Sequence, residues 1–204
     1  MTEPIRLLLA DDQALVRGAL AALLTLEEDI EVVAEASRGD EVLGLVREAR
    51  PDVALLDIEM PGIDGIEAAA QIRDAGLGCR VLIVTTFGRP GYLKRALAAG
   101  ASGFMVKDAP AERLADAVRR VHRGLRVIDP QLAEASLFAG DSPLTERETE
   151  VLRAAEFGQP LVDVAAAVSL SLGTVRNHMS SIIAKTGAGN RFEAARAARE
   201  NGWL

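Results

Sequence analysis

Cysteine is almost missing from the chain: Cys79 is the sole thiol among 204 residues, so no intramolecular disulfide can form. A reducing compartment is the natural setting for such a sequence, and Cys79 reads as a plain core or surface residue. Aromatic residues make up only 3%, which leaves Ala, Val, Leu and Ile to build the core. No apolar run approaches the roughly 20 residues that a membrane helix needs. The start, Met1-Thr2-Glu3-Pro4, lacks the basic region and long apolar stretch of a signal peptide, so a cytoplasmic protein without membrane contact is expected. Excess positive charge is missing too: the formal net charge is −7, which argues against binding nucleic acid by bulk charge. Residues 142–204 carry seven basic and seven acidic side chains, so the acidic surplus lies before them and any nucleic-acid surface there has to be local.

What is present is a regular alternation. Short aliphatic runs at 5–10, 31–36, 53–57, 80–85 and 103–106 are followed by segments of helical periodicity near 13–25, 39–49, 64–75, 90–99 and 110–123. Five strands alternating with five helices predict a doubly wound α/β domain: a five-stranded parallel sheet with helices on both faces. The runs 7–10 and 53–56 are apolar at every position, as central parallel strands should be. Between 124 and 141 the pattern weakens around Gly124, Pro130 and Gly140, which predicts a linker with a short helix near 130–138. Residues 142–204 show no strand pattern and four helical segments, near 145–157, 161–168, 172–186 and 191–201. The expected organisation is therefore a domain at 1–123, a linker at 124–141 and a small all-α domain at 142–204.

Parallel α/β sheets carry their functional groups at the carboxyl ends of the strands. Asp11 and Asp12 end the first strand, Asp57 the third and Thr85 the fourth, and Lys107 follows the fifth. With strand order 2-1-3-4-5, these side chains converge on one pocket. Clustered carboxylates repel each other unless a cation is present, and oxygen donors of this type suit Mg²⁺. A carboxylate beside a metal can act as a nucleophile and form an aspartyl phosphate, with an ammonium and a hydroxyl as partners for the phosphoryl oxygens. Singly, each residue has a plainer reading: Asp57 as a turn residue, Asp11 and Asp12 as helix caps, Lys107 on an exposed loop. The joint pattern, each group at the same end of its own strand, favours the pocket.

Asp11-Asp12, Leu55-Leu56-Asp57-Ile58-Glu59-Met60-Pro61-Gly62, Thr85 and Phe104-Met105-Val106-Lys107 resemble the receiver domains of two-component response regulators. The resemblance covers residues 4–123 and implies a flavodoxin-like sheet with Asp57 as phosphoacceptor. It implies that Asp12, Asp57 and the main-chain carbonyl of Glu59 ligate Mg²⁺, with Asp11 acting mainly through water. It also implies that Thr85 and Phe104 form a switch pair and that Lys107 contacts the phosphoryl group. Asp108 stands where many receivers have proline, and the Glu59 carboxylate lies close to the phosphorylation site.

In the last segment, Thr145 is a good helix N-cap and Glu148 completes a capping box. In the helix near 172–186, Val175, Met179, Ile182 and Ile183 share one face by 3- and 4-residue spacing and are assigned to the core. The remaining positions hold Thr174, Arg176, Asn177, Ser180, Ser181 and Lys185, with His178 at the boundary. Composition alone favours an ordinary solvated face. However, Leu144-Thr145-Glu146-Arg147-Glu148, Gly173-Thr174-Val175-Arg176-Asn177-His178 and Asn190-Arg191 look like the LuxR-type helix-turn-helix domain. Joined to a receiver, they resemble the NarL/FixJ family. By that resemblance Arg176, Asn177 and Ser180 face bases, while Thr174, His178 and Lys185 contact the DNA backbone. Two stretches depart from the family pattern: Pro160-Leu161-Val162 replaces a polar run with a lysine, and Thr186-Gly187-Ala188 replaces a Leu-Gly-Val run.

The leading expectation is a DNA-binding transcription regulator, not an enzyme, phosphorylated on Asp57 by a cognate sensor histidine kinase. It is expected to bind operator DNA as a homodimer, with RNA polymerase as a further candidate partner. Leu15, Ala19 and Leu23 on the first helix and Leu114, Val118 and Val121 on the last receiver helix are the expected dimer face, although the same residues also suit a role covering the sheet. Two other readings compete. A phosphohydrolase working through aspartyl phosphate would need a cap or cleft, for which there is no insertion. A receiver that is never phosphorylated would usually lack part of the acidic set.

Overall fold

The computed structural model describes residues 3–86, 90–130, 132–134 and 142–204. The chain forms two compact units, one built mainly from residues up to Glu134 and one mainly from Ala135 onward.

The first unit alternates β1 (Ile5–Ala10), α1 (Ala14–Thr25), β2 (Ile30–Ala36), α2 (Gly39–Ala49), β3 (Val53–Asp57), α3 (Gly65–Ala75), β4 (Arg80–Thr85), α4 (Pro90–Ala98), β5 (Gly103–Val106) and α5 (Ala111–His122). All strand pairs are parallel and the order is β2-β1-β3-β4-β5, as expected. Because side chains alternate across a strand, each central strand feeds two cores. Leu7, Leu9, Val53, Leu55, Leu82 and Val84 pack with Leu24 of α1 and with Leu114, Val118 and Val121 of α5. Leu8, Leu56, Ile83 and Phe104 are buried on the opposite face.

A sixth strand, β6 (Val127–Ile128), extends the sheet beyond β5 in parallel register, Gly103 opposite Val127 and Phe104 opposite Ile128. It lies in the stretch expected to be linker. The α5 helix ends at His122 and Gly124 turns the chain with φ of 82°, which returns it to the open edge of β5. Of the short helix expected near 130–138, residues 130 and 132–134 are helical and the remainder lies outside the described residues.

The second unit is all-α: α6 (Glu146–Ala155), α7 (Leu161–Ala167), α8 (Leu172–Thr186) and α9 (Arg191–Glu200). Local chemistry sets three of the starts. The Thr145 hydroxyl accepts from the Glu148 N–H and the Glu148 carboxylate from the Thr145 N–H, the reciprocal capping box. Ser171 caps α8 and Asn190 caps α9 through their side-chain oxygens. Val151 and Leu152 of α6, Val164 and Val168 around α7, and Val175, Met179 and Ile182 of α8 form one core with Ala194 and Ala198 of α9. Among the described residues, no helix is long and apolar enough to cross a membrane.

Candidate functional site

The carboxyl ends of β1, β3 and β5 bring an acid cluster and a lysine together. One carboxylate oxygen from each of Asp11, Asp12 and Asp57 lies within 4.8 Å of the others. Asp11 and Asp57 are buried, at 3% exposure each, whereas Asp12 is exposed. Lys107 reaches back from the end of β5 with its Nζ 2.7 Å from Asp11 Oδ2 and 2.9 Å from Asp57 Oδ2. The approach is that of an ion pair rather than an aligned hydrogen bond. The other Asp57 oxygen, Oδ1, accepts the Ile58 N–H at 2.8 Å. Asp11 is not a helix cap: its Oδ1 accepts the N–H of Gln13, the residue that precedes α1.

Burial pushes the Asp57 carboxyl above its ordinary value. The Lys107 ammonium pulls it back and the nearby Asp11 charge adds to the rise. Burial works against the Lys107 charge as well, but the two carboxylates outweigh it and hold the ammonium above its usual range. Three oxygen donors, one of them open to solvent, make a donor set that fits a hydrated hard cation such as Mg²⁺.

Thr85 is buried at the end of β4, one step beyond Val84, which stands opposite Asp57; its carbonyl accepts the Lys107 N–H at 2.8 Å. Phe104 is wholly buried, and its carbonyl accepts the Asp129 N–H beside β6. Glu59 lies exposed in the loop between β3 and α3. That loop is pinned by a glycine not singled out from sequence. A Cβ on Gly65 would fall 1.9 Å from the Asp57 carbonyl oxygen, so only glycine lets α3 start against the end of β3. Arg17 of α1 was missed too. Its guanidinium donates to the Asp11 carbonyl at 2.6 Å and to Glu35 at 3.2 Å. Spacing along the sequence gives no sign of either contact.

On the second unit, Arg176 and Asn177 project into solvent from the N-terminal half of α8, with Ser180 exposed one turn on and His178 half-buried. Thr174 lies in the first turn, where its hydroxyl shares a hydrogen bond with the Ser171 cap, and Ser180 donates to the Arg176 carbonyl. Lys185, expected to face the DNA backbone, has a partner within the unit. Its Nζ is 2.6 Å from Glu148 Oε2, and Ser181 donates to Glu148 Oε1 at 2.6 Å, so this end of α8 is tied to α6. Burial alone would raise the Glu148 carboxyl. Lys185, Ser181 and the Thr145 N–H and hydroxyl together overcome that and hold it at about 2. Two further clamps fix the helices around α8. Arg147 donates to the Val168 carbonyl, and Arg191 donates to the Gly158 and Gln159 carbonyls.

The expected dimer face divides. Leu15 is 90% exposed, Leu23 44% exposed, and Ala19 is exposed with them on one side of α1. Leu114, Val118 and Val121 are a correction: at 5%, 0% and 0% exposure they belong to the core under the sheet and have no surface to offer a partner.

Residues 7–119 match the response regulator receiver domain family and residues 142–198 the family described as bacterial regulatory proteins, luxR family. The transcriptional regulatory protein DesR of Bacillus subtilis is 44% identical over 200 residues, spanning 98% of this chain and 99% of its own. The response regulator RamR of Streptomyces coelicolor is 38% identical over 203 residues, spanning both chains in full. Among solved structures, the response regulator ChrA of a heme-sensing two-component system is similar over 100% of both chains, with 37% identity and a TM-score of 0.61. The relatives named are regulators rather than enzymes. With a receiver sheet ending in its acid cluster and a four-helix LuxR-type unit following it in sequence, the chain belongs to the two-component response regulators of the NarL/FixJ type.

Proposed function

We propose that this chain is a cytoplasmic transcription regulator switched by phosphorylation of Asp57, with a receiver at 1–123, a connecting segment at 124–141 and a DNA-binding domain at 142–204. The observation that carries the reading is the convergence of Asp11, Asp12, Asp57 and Lys107 at one end of the sheet. The donor is the phosphohistidine of a cognate sensor kinase. An Asp57 carboxylate oxygen attacks phosphorus, the new P–O bond forms as the P–N bond breaks, and the imidazole leaves with a proton taken up from solvent. Lys107, already beside Asp57, balances the charge on the phosphoryl oxygens, and the Thr85 hydroxyl donates to one of them. Asp12, Asp57 and the Glu59 carbonyl would hold Mg²⁺, with Asp11 acting through water. When bound, the ion supplies positive charge between the carboxylates and the incoming phosphoryl group. Thr85 and Phe104 then form the switch pair that passes the change to the helices.

The output is DNA binding through α8. Arg176, Asn177 and Ser180 face base edges, and Thr174 and His178 face the backbone. Phosphorylation favours a homodimer that pairs two half-sites, with the exposed Leu15, Ala19 and Leu23 edge of α1 as the receiver contact. RNA polymerase is a candidate partner of the bound dimer. Genome-wide mapping of bound DNA tests the whole reading: an Asp57→Asn chain should lose most sites, and an unchanged map would refute phosphorylation as the switch. Sedimentation of phosphorylated Leu15→Asp tests the dimer face, which is wrong if that variant dimerises like wild type.

A further inference from the structure

Asp11 and Asp12 contribute two of the three carboxylates of the pocket, yet they differ in what holds them. Asp11 is fixed on every side: its N–H donates to the Ala36 carbonyl at 3.1 Å, its carboxylate takes the Gln13 N–H and the Lys107 ammonium, and its carbonyl takes the Arg17 guanidinium. Asp12 is exposed. Its direction depends on the peptide plane that joins it to Asp11, because that plane sets ψ of Asp11 and φ of Asp12 together. The oxygen of this plane is the atom that Arg17 holds at 2.6 Å. Arg17 is itself braced by Glu35 at the end of β2 and is 19% exposed.

We propose that Arg17 is a positioning residue of the acid pocket: by gripping the Asp11 carbonyl it aims the Asp12 carboxylate at the cation that Asp57 shares. The inference rests on the metal reading given above. It carries a sign that electrostatics alone would reverse. Arg17 is a cation next to an acid cluster, so deleting its charge would tighten Mg²⁺ if Coulomb repulsion were its only effect. A positioning role requires the opposite. Loss of a group that orients a metal ligand typically weakens the metal about tenfold or more.

The test is Mg²⁺ titration of the full chain, followed by the amide NMR signals of the β1–α1 and β3–α3 loops. Arg17→Met keeps the alkyl packing and removes charge and donors; it should raise the Mg²⁺ dissociation constant about tenfold. Arg17→Lys keeps the charge but cannot span both acceptors, and should fall between Met and wild type; it carries the test alone if the Met variant does not fold. Phosphorylation by acetyl phosphate should be slow in both variants at limiting Mg²⁺ and return to the wild-type rate at saturating Mg²⁺. Unchanged or tighter Mg²⁺ binding overturns the proposal, and so does a rate that saturating Mg²⁺ fails to restore. Asp12→Ala separates the two levels. If it weakens Mg²⁺ while Arg17→Met does not, the clamp alone is wrong. If Asp12→Ala also leaves Mg²⁺ unaffected, the metal reading fails and takes the clamp with it.

Discussion

Each unit buries a carboxylate against a lysine, and the two pairs behave in opposite ways. Asp57 and Glu148 are equally hidden, at 3% and 4% exposure, and each has an ammonium within 2.9 Å. Yet the Asp57 carboxyl sits above its ordinary value and the Glu148 carboxyl far below its own. The difference is the supply of donors. Glu148 takes hydrogen bonds from the Thr145 N–H and hydroxyl, from Ser181 and from Lys185. Asp57 has one N–H and shares its lysine with a second buried acid, Asp11. A saturated carboxylate is a strut, whereas an undersupplied one leaves room for a cation and an anion to complete it. A local surplus of acid is the kind of rule violation that marks a functional site.

The largest expected effect breaks the strut. Glu148→Gln should cost the helical unit about 2–3 kcal/mol, because charged hydrogen bonds to the Thr145 cap and to α8 are lost at a buried position. Trp203, the only tryptophan, packs against that core and reports the unfolding in urea by fluorescence. Asp57→Asn should change receiver stability by under about 1 kcal/mol, since lost pairing with Lys107 is offset by relief of repulsion from Asp11; hydrogen exchange of β1 and β3 amides measures it. Equal penalties at the two sites would dissolve the contrast.

On DNA, Arg176→Ala and Asn177→Ala should each weaken the specific site by about 1–3 kcal/mol with little change on random sequence, measured by fluorescence anisotropy. Lys185→Ala should lower the thermal midpoint of the helical unit yet leave the salt slope of DNA binding where it was. A slope smaller by about one would put Lys185 on a phosphate after all.

Acid tests the same strut by protonating it. The folded Glu148 carboxyl, at about 2, lies below its unfolded value near 4.5, so its contribution is complete above that pH and fades as the pH falls toward 2. Acid unfolding followed at Trp203 should therefore be steeper over this window in wild type than in Glu148→Gln. Matching profiles would mean that the carboxylate is not held down by its donors.

Much of this was legible in the sequence because periodicity and end-of-strand position are local signals. The strands and helices fall within a residue or two of their expected bounds, β2 for instance beginning at Ile30 rather than 31. The acid cluster and Lys107 follow from strand ends alone. What escaped was short or long-range. β6 has two residues, too few to show alternation, and exists because the β5 edge is open to it. Spacing put Leu114, Val118 and Val121 on one face of α5 but could not say that this face meets the sheet; on α1 the inward side is Leu20, Ala21 and Leu24 instead. The ion pair of Lys185 escaped because its partner, Glu148, is 37 residues away in sequence. Arg17 and Gly65 act on main-chain oxygens, which carry no sequence signature.

The most direct test of the central claim is intact-mass analysis of the full chain after incubation with Mg²⁺ and acetyl phosphate. Wild type should gain a single phosphoryl group that hydroxylamine or base removes, as for an acyl phosphate, and Asp57→Asn should gain none. Equal labelling of the two proteins would contradict the assignment of Asp57, and with it the switch built upon it.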